Sequence, residues 1–225
     1  MPSVPVYVEA GKKRVFAVAL EWPGWCRAGR SQAGALAALI AYGPRYRGAV
    51  EGAARGFRVP PDATGFEIVE ELAGDASTDF GAPGAVPAAD SRPFPRAKQQ
   101  RFEAILAACW RTFDAAADAA EGKTLRSGPR GGGRDVAGIR AHVLDADRSY
   151  LSKLGGFVAE HPDRRAFTAE LRAAFVGALH GRARGEIPDH GPRGGVRWPA
   201  PYAVRRSAWH ALDHAWEIQD RTIDA

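Results

Sequence analysis

Alternation of apolar and polar positions marks four segments in the first third of the chain. The sequences VPVYVEA (4–10) and RVFAVALEW (14–22) are rich in valine and aromatic residues, and the GKK between them predicts a turn. The sequence GWCRAGR (24–30) is a candidate third strand, and GFEIVEEL (65–72) alternates as a closing strand does. Together these segments predict a small β-sheet.

The stretch between the third and fourth predicted strands has helical spacing instead. Ser31 is a favourable N-cap, and the sequence SQAGALAALIAYG that it begins carries apolar residues at helical spacing. Pro44 suits the first turn of a helix and predicts a second helix that ends near Gly56. The order β-β-β-α-α-β predicts an α+β N-terminal domain over residues 1–73, a small sheet with helices on one face.

Four segments with one apolar stripe each make up the second part of the chain. Loops rich in glycine and proline separate them, and the segments are residues 97–121, 135–154, 163–183 and 201–219. Amphipathic helices of this number and length predict an all-α four-helix bundle over residues 97–225. In a simple up-down order, the second and fourth of these helices run parallel.

Residues 74–96 separate the two predicted domains. The sequence GDASTDFGAPGAVPAADSRPFPR holds four prolines and has little periodicity. Such a composition predicts a linker, or a loop that lies over the surface.

The composition is that of an ordinary globular protein with a weakly basic surface. Apolar residues make up 45% and charged residues 25% of the 225 residues, and the net charge is +5. No apolar run approaches the ~18 residues that span a bilayer, and the start of the sequence has no apolar segment of signal-peptide type, so we expect a cytoplasmic protein. Two distant cysteines predict neither a disulfide framework nor a zinc-thiolate site. No RNA-binding aromatic motif, zinc finger or basic helix stands out, which favours small anions over nucleic acid as partners.

Histidines lie on the inward faces of two predicted helices. His210 and His214 are four apart in WHALDHAWEIQD, so their side chains lie one above the other on one helix face. His142 is in register with Ile139 and Val143 on the inward side of the second helix. If those helices are parallel, His142 and His210 both lie roughly 12 Å from the helix start and therefore at one level. Ordinary hydrogen-bonded helix residues are the alternative, because one such spacing also arises by chance.

Three imidazoles that converge on one ion would satisfy groups that are costly to bury unpaired. Three neutral imidazoles with open positions are the ligand set of a catalytic site, because the ion keeps its +2 charge and acidifies a bound water or thiol. Histidine ligands suit zinc, nickel, iron or copper, and the sequence does not choose among these divalent metals.

Each of the three histidines is followed, three residues later, by a carboxylate. Ligating histidines usually pass their second N–H to such a group, although a solvated helix face explains the same spacing. Glu217 is the candidate catalytic residue for proton transfer, and Asp145 and Asp213 are the other two carboxylates.

The second half resembles the DinB/YfiT-like superfamily of metalloenzymes, through AHVLDADRSYL and SAWHALDHAWEIQDR. The resemblance covers about residues 95–222. It implies a four-helix bundle with unusual helix connectivity, and a divalent metal held by His142, His210 and His214. Members of the family transfer low-molecular-weight thiols such as bacillithiol or mycothiol, or act as isomerases or hydrolases, so the resemblance also implies a possible thiol co-substrate.

The first half is similar to the N-terminal domain of HicB-type antitoxins, through RVFAVALEWPGWCRAGRSQAGALAAL. The similarity covers about residues 4–73. No helix-turn-helix follows it, so transcriptional repression is not implied, and we expect a docking or lid domain.

Two hypotheses of function follow. The leading one is a metal-dependent enzyme that acts on a small molecule through metal-bound water or thiol, as a thiol S-transferase, isomerase or hydrolase. The rival is a non-catalytic metal-binding or protein-interaction module related to toxin–antitoxin or stress systems. A homodimer and a protein partner at the N-terminal domain are further candidate interactions.

Two loops rich in glycine and arginine lead into the helices that carry the histidines. If these helices are parallel, the loops SGPRGGGRD and DHGPRGGVRWPAP meet at one end of the bundle. Arginines there would bind a carboxylate or phosphate, and Trp198 would form a substrate wall or a packed interface. We therefore predict that a small anionic substrate or thiol binds to Arg130, Arg134, Arg193, Arg197 and Trp198.

Overall fold

The computed structural model describes residues 3–128 and 133–223. Arg130, one of the predicted substrate-binding residues, lies outside these residues. A small mixed sheet comes first in the chain, and helices follow it.

The sheet contains the four strands that the alternation predicts. These are β1 (Val4–Ala10), β2 (Val15–Ala19), β3 (Cys26–Gly29) and β4 (Phe66–Ala73). Their order is β3-β2-β1-β4, with β1 antiparallel to β2 and parallel to β4. The return from β3 to β4 crosses the sheet, which gives the parallel pair.

One helix, α1 (Gln32–Ala49), lies between β3 and β4. Ser31 caps it as predicted, since the Ser31 side chain accepts a hydrogen bond from the backbone N–H of Gly34. The prediction of a second helix from Pro44 is wrong, because α1 continues through this proline. The buried stripe of Leu39 and Tyr46 spans the position, and the Tyr46 hydroxyl donates to the Pro23 carbonyl at 2.9 Å. Packing on the sheet thus outweighs the loss of one helical hydrogen bond.

Both faces of the sheet are covered, whereas the sequence predicted helices on one. Inward residues such as Ala17 face α1. On the opposite face, Tyr7, Phe16 and Val18 pack with Trp209, and the rings of Phe16 and Trp209 meet edge to face with centroids 6.2 Å apart. Trp209 belongs to the last helix of the chain, so the sheet and the helical part share one interior.

Residues 74–96, predicted as a linker or surface loop, contain a short helix, α2 (Ala76–Phe80), and a 3-10 turn (Ala88–Ser91). Glu9 on β1 is 1% exposed, and its carboxylate accepts hydrogen bonds from the backbone N–H groups of Gly84 and Ala85 at 2.8–2.9 Å. The Tyr202 hydroxyl donates to the Gly84 carbonyl at 3.0 Å. The segment is therefore fastened both to the sheet and to the helices.

A buried ion pair also anchors residues 74–96 to the rest of the fold. Asp90 and Arg205 form a hydrogen-bonded salt bridge, and each side chain is 3% exposed. Arg205 also donates to the Leu20 carbonyl at the end of β2. One guanidinium therefore connects the sheet, the connecting segment and the last helix.

Four long helices follow, at the places where the apolar periodicity predicts them. They are α3 (Arg96–Ala119), α4 (Val136–Leu154), α5 (Arg164–Ala183) and α6 (Ala200–Arg221). α6 packs against the other three and is buried on almost every side. Among the described residues, none of the helices is long and apolar enough to cross a membrane.

The expected up-down order of these helices is wrong. α3 and α6 run in the same direction. Asp90, which precedes α3, pairs with Arg205 in the first part of α6, and Leu125, which follows α3, pairs with Thr222 just after α6. α5 runs opposite to α3, since His180 near the C-terminal end of α5 pairs with Glu103 in the N-terminal part of α3.

α4 runs antiparallel to α6, whereas the sequence analysis assumed that they are parallel. Arg221 at the end of α6 donates to the carbonyl of Arg134, just before α4, and Ser207 donates to Asp147 further along α4. α4 and α5 are therefore parallel to each other. Residues 155–163 connect them and can extend over about 30 Å, which matches the ~28 Å length of the 19-residue α4.

Candidate metal centre

Two neighbouring helices present the three histidines to one another. The Asp135 side chain caps α4 by accepting from the Gly138 N–H, which fixes the start of the helix and places His142 in its second turn. Pro201 lies in the first turn of α6, His210 lies at the middle of this helix, and His214 follows in its second half. Because α4 and α6 are antiparallel, an early position on α4 faces a late position on α6.

The three imidazoles meet as the sequence predicts. The Nε2 atoms of His142 and His210 are 3.2 Å apart, and one ring nitrogen from each of the three residues lies within 4.8 Å of the others. Two ligands at about 2.0–2.1 Å from one ion, at tetrahedral or octahedral angles, are separated by about 2.8–3.4 Å. The His142–His210 separation is of that size, so these side chains lie close enough to hold a metal ion.

Burial disfavours the protonated form of two of the three imidazoles. It lowers the pKa of His210 well below its ordinary value, and the neighbouring His214 and Arg206 lower this pKa further. Burial also lowers the pKa of His142, with His214 and Arg134 acting in the same direction. Neutral imidazoles have the free lone pair that a metal ligand needs. His210 is 6% exposed and His142 is half-buried, so the cluster opens towards solvent on the α4 side.

Glu217 holds the third imidazole in place. Its Oε2 atom lies 2.7 Å from Nδ1 of His214, and its Oε1 atom accepts a hydrogen bond from Arg221 at 2.5 Å. The hydrogen bond from His214, with help from Arg221, lowers the pKa of Glu217 to about 2. The ionised carboxylate can only accept, so Nδ1 of His214 carries the proton and Nε2 is left free for an ion. This arrangement favours an orienting role for Glu217 over the predicted proton transfer at neutral pH.

The other two carboxylates have other surroundings. Asp145 is exposed, although its charge raises the pKa of His142 against the larger effect of burial. Asp213 forms an ion pair at 3.3 Å with Arg27 of β3 and so joins α6 to the sheet.

The two arginine-rich loops lie at opposite ends of α4, so the premise that they meet is wrong. Arg134 is close enough to the histidines to lower the pKa of His142. Arg197 lies beyond the far end of the helix, where its guanidinium donates to the carbonyls of Pro188 and His190. The physical reason is the crossing connection 155–163, which reverses the expected direction of α4 relative to α6.

The individual binding roles of these residues stay predictions. Arg193 is exposed in the loop that precedes α6. Trp198 ends the same loop, and its ring packs at 5.2 Å from that of Tyr150 on α4 and at 4.9 Å from that of Tyr202. Trp198 therefore lies at the far end of the seam between α4 and α6, with Tyr150 between it and the histidines.

Sequence reasoning missed two residues beside the histidines. The Tyr150 ring lies 5.8 Å from that of His210, and the Arg206 guanidinium lies 5.5 Å from the centre of the Tyr150 ring. A signal was available for Arg206, because residues 206, 210 and 214 form an i, i+4, i+8 stripe on one helix face.

Comparison of the chain with family models, curated proteins and solved structures finds no match. The similarities to DinB/YfiT-like metalloenzymes and to HicB-type antitoxins stay predictions from the sequence.

Proposed function

We propose that this protein is a divalent-metal-dependent enzyme that acts on a small molecule. The observation that carries the proposal is the convergence of His142, His210 and His214 from two helices. The Nε2 atoms of His142 and His210 lie 3.2 Å apart, and one ring nitrogen of His214 lies within 4.8 Å of them. Such a convergence is unusual as pure packing, because each buried ring nitrogen needs a partner. Nδ1 of His210 is buried and has no hydrogen-bond partner among the described residues, which adds to that cost.

Each residue of the candidate metal centre would have a separate role. The three histidines hold the ion, Glu217 keeps His214 in the tautomer that leaves Nε2 free, and Arg221 keeps Glu217 ionised and in place. A divalent ion with three neutral ligands retains open positions and its full charge, and so acidifies a water or thiol that it binds. Substrate access is from the half-buried His142 side, since α6 closes the other sides.

The reaction class that we favour is thiol S-transfer, isomerisation or hydrolysis, as in DinB/YfiT-like enzymes. In support, the four long helices include one crossing connection, at residues 155–163, in keeping with the unusual connectivity that this resemblance implies. We further propose that these helices form a four-helix bundle of that type, with zinc, nickel or iron as the resident metal and a low-molecular-weight thiol as a candidate co-substrate.

A second candidate is a non-catalytic module in which the histidines hold a metal but no reaction follows. Trp209 and Arg205 are buried against the sheet and the connecting segment. The first domain therefore packs tightly on the helices and is not a separate lid, which favours this second candidate. In this case the HicB-like domain would contact a protein partner.

Elemental analysis of purified protein tests the proposal. We expect about one equivalent of a divalent metal in the wild type and none in His210→Ala. His190→Ala is the matched control, because His190 is exposed in a loop and lies outside the histidine cluster. Metal in equal amounts in all three proteins would contradict the site. Turnover of a thiol co-substrate by the loaded wild type separates the enzyme from the non-catalytic module.

A further inference from the structure

Arg206 lies one helical turn from His210 and faces the same seam between α4 and α6. Its guanidinium is held between two aromatic rings, 4.6 Å from the centre of the Trp209 ring and 5.5 Å from that of Tyr150. Tyr150 is also the ring that lies 5.8 Å from His210. The guanidinium is thus next to the histidine cluster and separated from it by one aromatic side chain.

This arginine has no carboxylate partner, unlike its neighbour. Arg205 is neutralised by Asp90, whereas no ion pair joins Arg206 to any of the residues that the structure describes. The Nη1 atom of Arg206 is buried and lacks a hydrogen-bond partner there. The side chain as a whole is partly exposed, but Nη1 is shielded from water, and a charged donor without a hydrogen-bond partner is unfavourable there.

We propose that Arg206 binds a carboxylate group of the small molecule that reaches the histidine cluster. A planar carboxylate can bind with two hydrogen bonds to the part of the guanidinium that stays exposed to solvent. A single negative charge matches the single unpaired positive charge, whereas a phosphate dianion leaves an uncompensated charge against the rings. The faces of Tyr150 and Trp209 would pack on the aliphatic part of the ligand.

The inference deepens the proposed function, because it names the substrate class of the same site. It also replaces the arginine-rich loops as the source of anion selectivity. The arginine site itself does not need the metal, so the two proposals can fail separately.

Titration of metal-free protein with sodium propionate, by calorimetry and by tryptophan fluorescence, tests the inference. We expect millimolar or tighter binding to the wild type, and a loss of affinity of at least tenfold in Arg206→Gln. Arg206→Lys keeps the charge without the fork, so we expect an intermediate affinity, and this variant serves if Arg206→Gln does not fold. Arg111→Gln removes one positive charge from an exposed position on α3 and should leave the affinity unchanged.

Three results would overturn the inference. They are the absence of propionate binding to the wild type at millimolar concentrations, equal affinity in the wild type and both Arg206 variants, and tighter binding of inorganic phosphate than of propionate. Elemental analysis of the same variants after zinc loading separates the two proposals. Retained zinc in Arg206→Gln with lost propionate binding supports both, and propionate binding that depends on Arg206 in a protein that holds no zinc supports the arginine site alone.

Discussion

The Nε2 atoms of His142 and His210 lie 3.2 Å apart although 68 residues separate them in the chain. Two neutral imidazoles at this distance form at most one hydrogen bond between them, and His214 adds a third ring with a centroid 4.6 Å from that of His210. Local helix geometry accounts for the His210–His214 contact. Only the antiparallel packing of α4 on α6 accounts for His142.

Metal removal should lower thermal stability. An ion that bridges α4 and α6 binds the folded state selectively and adds about 2.7 kcal/mol at a free concentration one hundred times Kd. For a chain of this length, that corresponds to a decrease in Tm of roughly 5–10 °C on chelation. Calorimetric melts of zinc-loaded protein with and without EDTA measure it, with His210→Ala as the control that should not respond. An unchanged Tm in protein shown to have lost its metal would contradict a bridging role.

The free energy of unfolding of the metal-free protein should depend on pH through His210. Its pKa is well below the ordinary value in the folded protein and about 6.5 in the unfolded chain. Below pH 6.5 the unfolded chain binds a proton that the folded protein does not, so stability falls as the pH falls and is constant above that range. Each unit of pKa depression is equivalent to about 1.4 kcal/mol.

Urea unfolding of the wild type and His210→Asn between pH 8 and 5, at steps of about one unit, measures this effect. Burial raises the pKa of Asp147 to about 6, which gives a slope of opposite sign in both proteins. The difference between the two proteins therefore isolates the histidine. Identical pH profiles would show that His210 is not held neutral by the fold.

Replacing Glu217 with Gln should weaken metal binding about tenfold to a hundredfold, the usual effect of losing the partner of a ligating histidine. The variant keeps an acceptor oxygen but loses the charge that fixes the tautomer of His214 and pairs with Arg221. Competition with a chromophoric chelator measures the affinity. Asp213→Asn is a matched control on the same helix, since Asp213 forms an ion pair with Arg27 of β3. Equal losses in the two variants would indicate a general electrostatic effect.

Breaking the buried Asp90–Arg205 pair should be among the most costly single changes in the protein. Asp90→Ala leaves a buried guanidinium without its partner, and such changes cost about 3–5 kcal/mol. The double variant Asp90→Ala/Arg205→Met removes both charges and should recover a large part of the loss. Urea unfolding measures all of these proteins, and a double variant no more stable than Asp90→Ala would contradict this explanation.

Much of the local structure could be predicted because it depends on short-range patterns. The alternation in VPVYVEA defines β1 to the residue, and Ser31 marks the start of α1. The prediction of a second helix is wrong because a proline is typical of a helix start, whereas in this structure α1 and its buried stripe around Tyr46 continue through Pro44. The periodicity of an isolated segment does not contain that tertiary contact.

The composition of the candidate site could be predicted, but not its orientation. His142, His210 and His214 share inward faces, and this is visible in the sequence. The relative direction of α4 and α6 depends on residues 155–163, which carry no periodic signal. The premise that the two arginine-rich loops meet at one end of the helices is therefore wrong. The sequence does not indicate that Arg205 is buried, because its contacts with the sheet and the connecting segment are not encoded in its immediate neighbours.

The contact of Trp209 with Phe16 has a consequence for synthesis on the ribosome. The strands emerge early, but the side chains that cover their second face come from a helix near the other end of the chain, and the Arg27–Asp213 pair spans 186 residues. At 5–20 residues per second, roughly 10–40 s pass between the two halves of this contact. During that interval Tyr7, Phe16 and Val18 form an uncovered apolar surface. We therefore expect that pausing of translation before α6 prolongs the time in which this exposed apolar surface can aggregate.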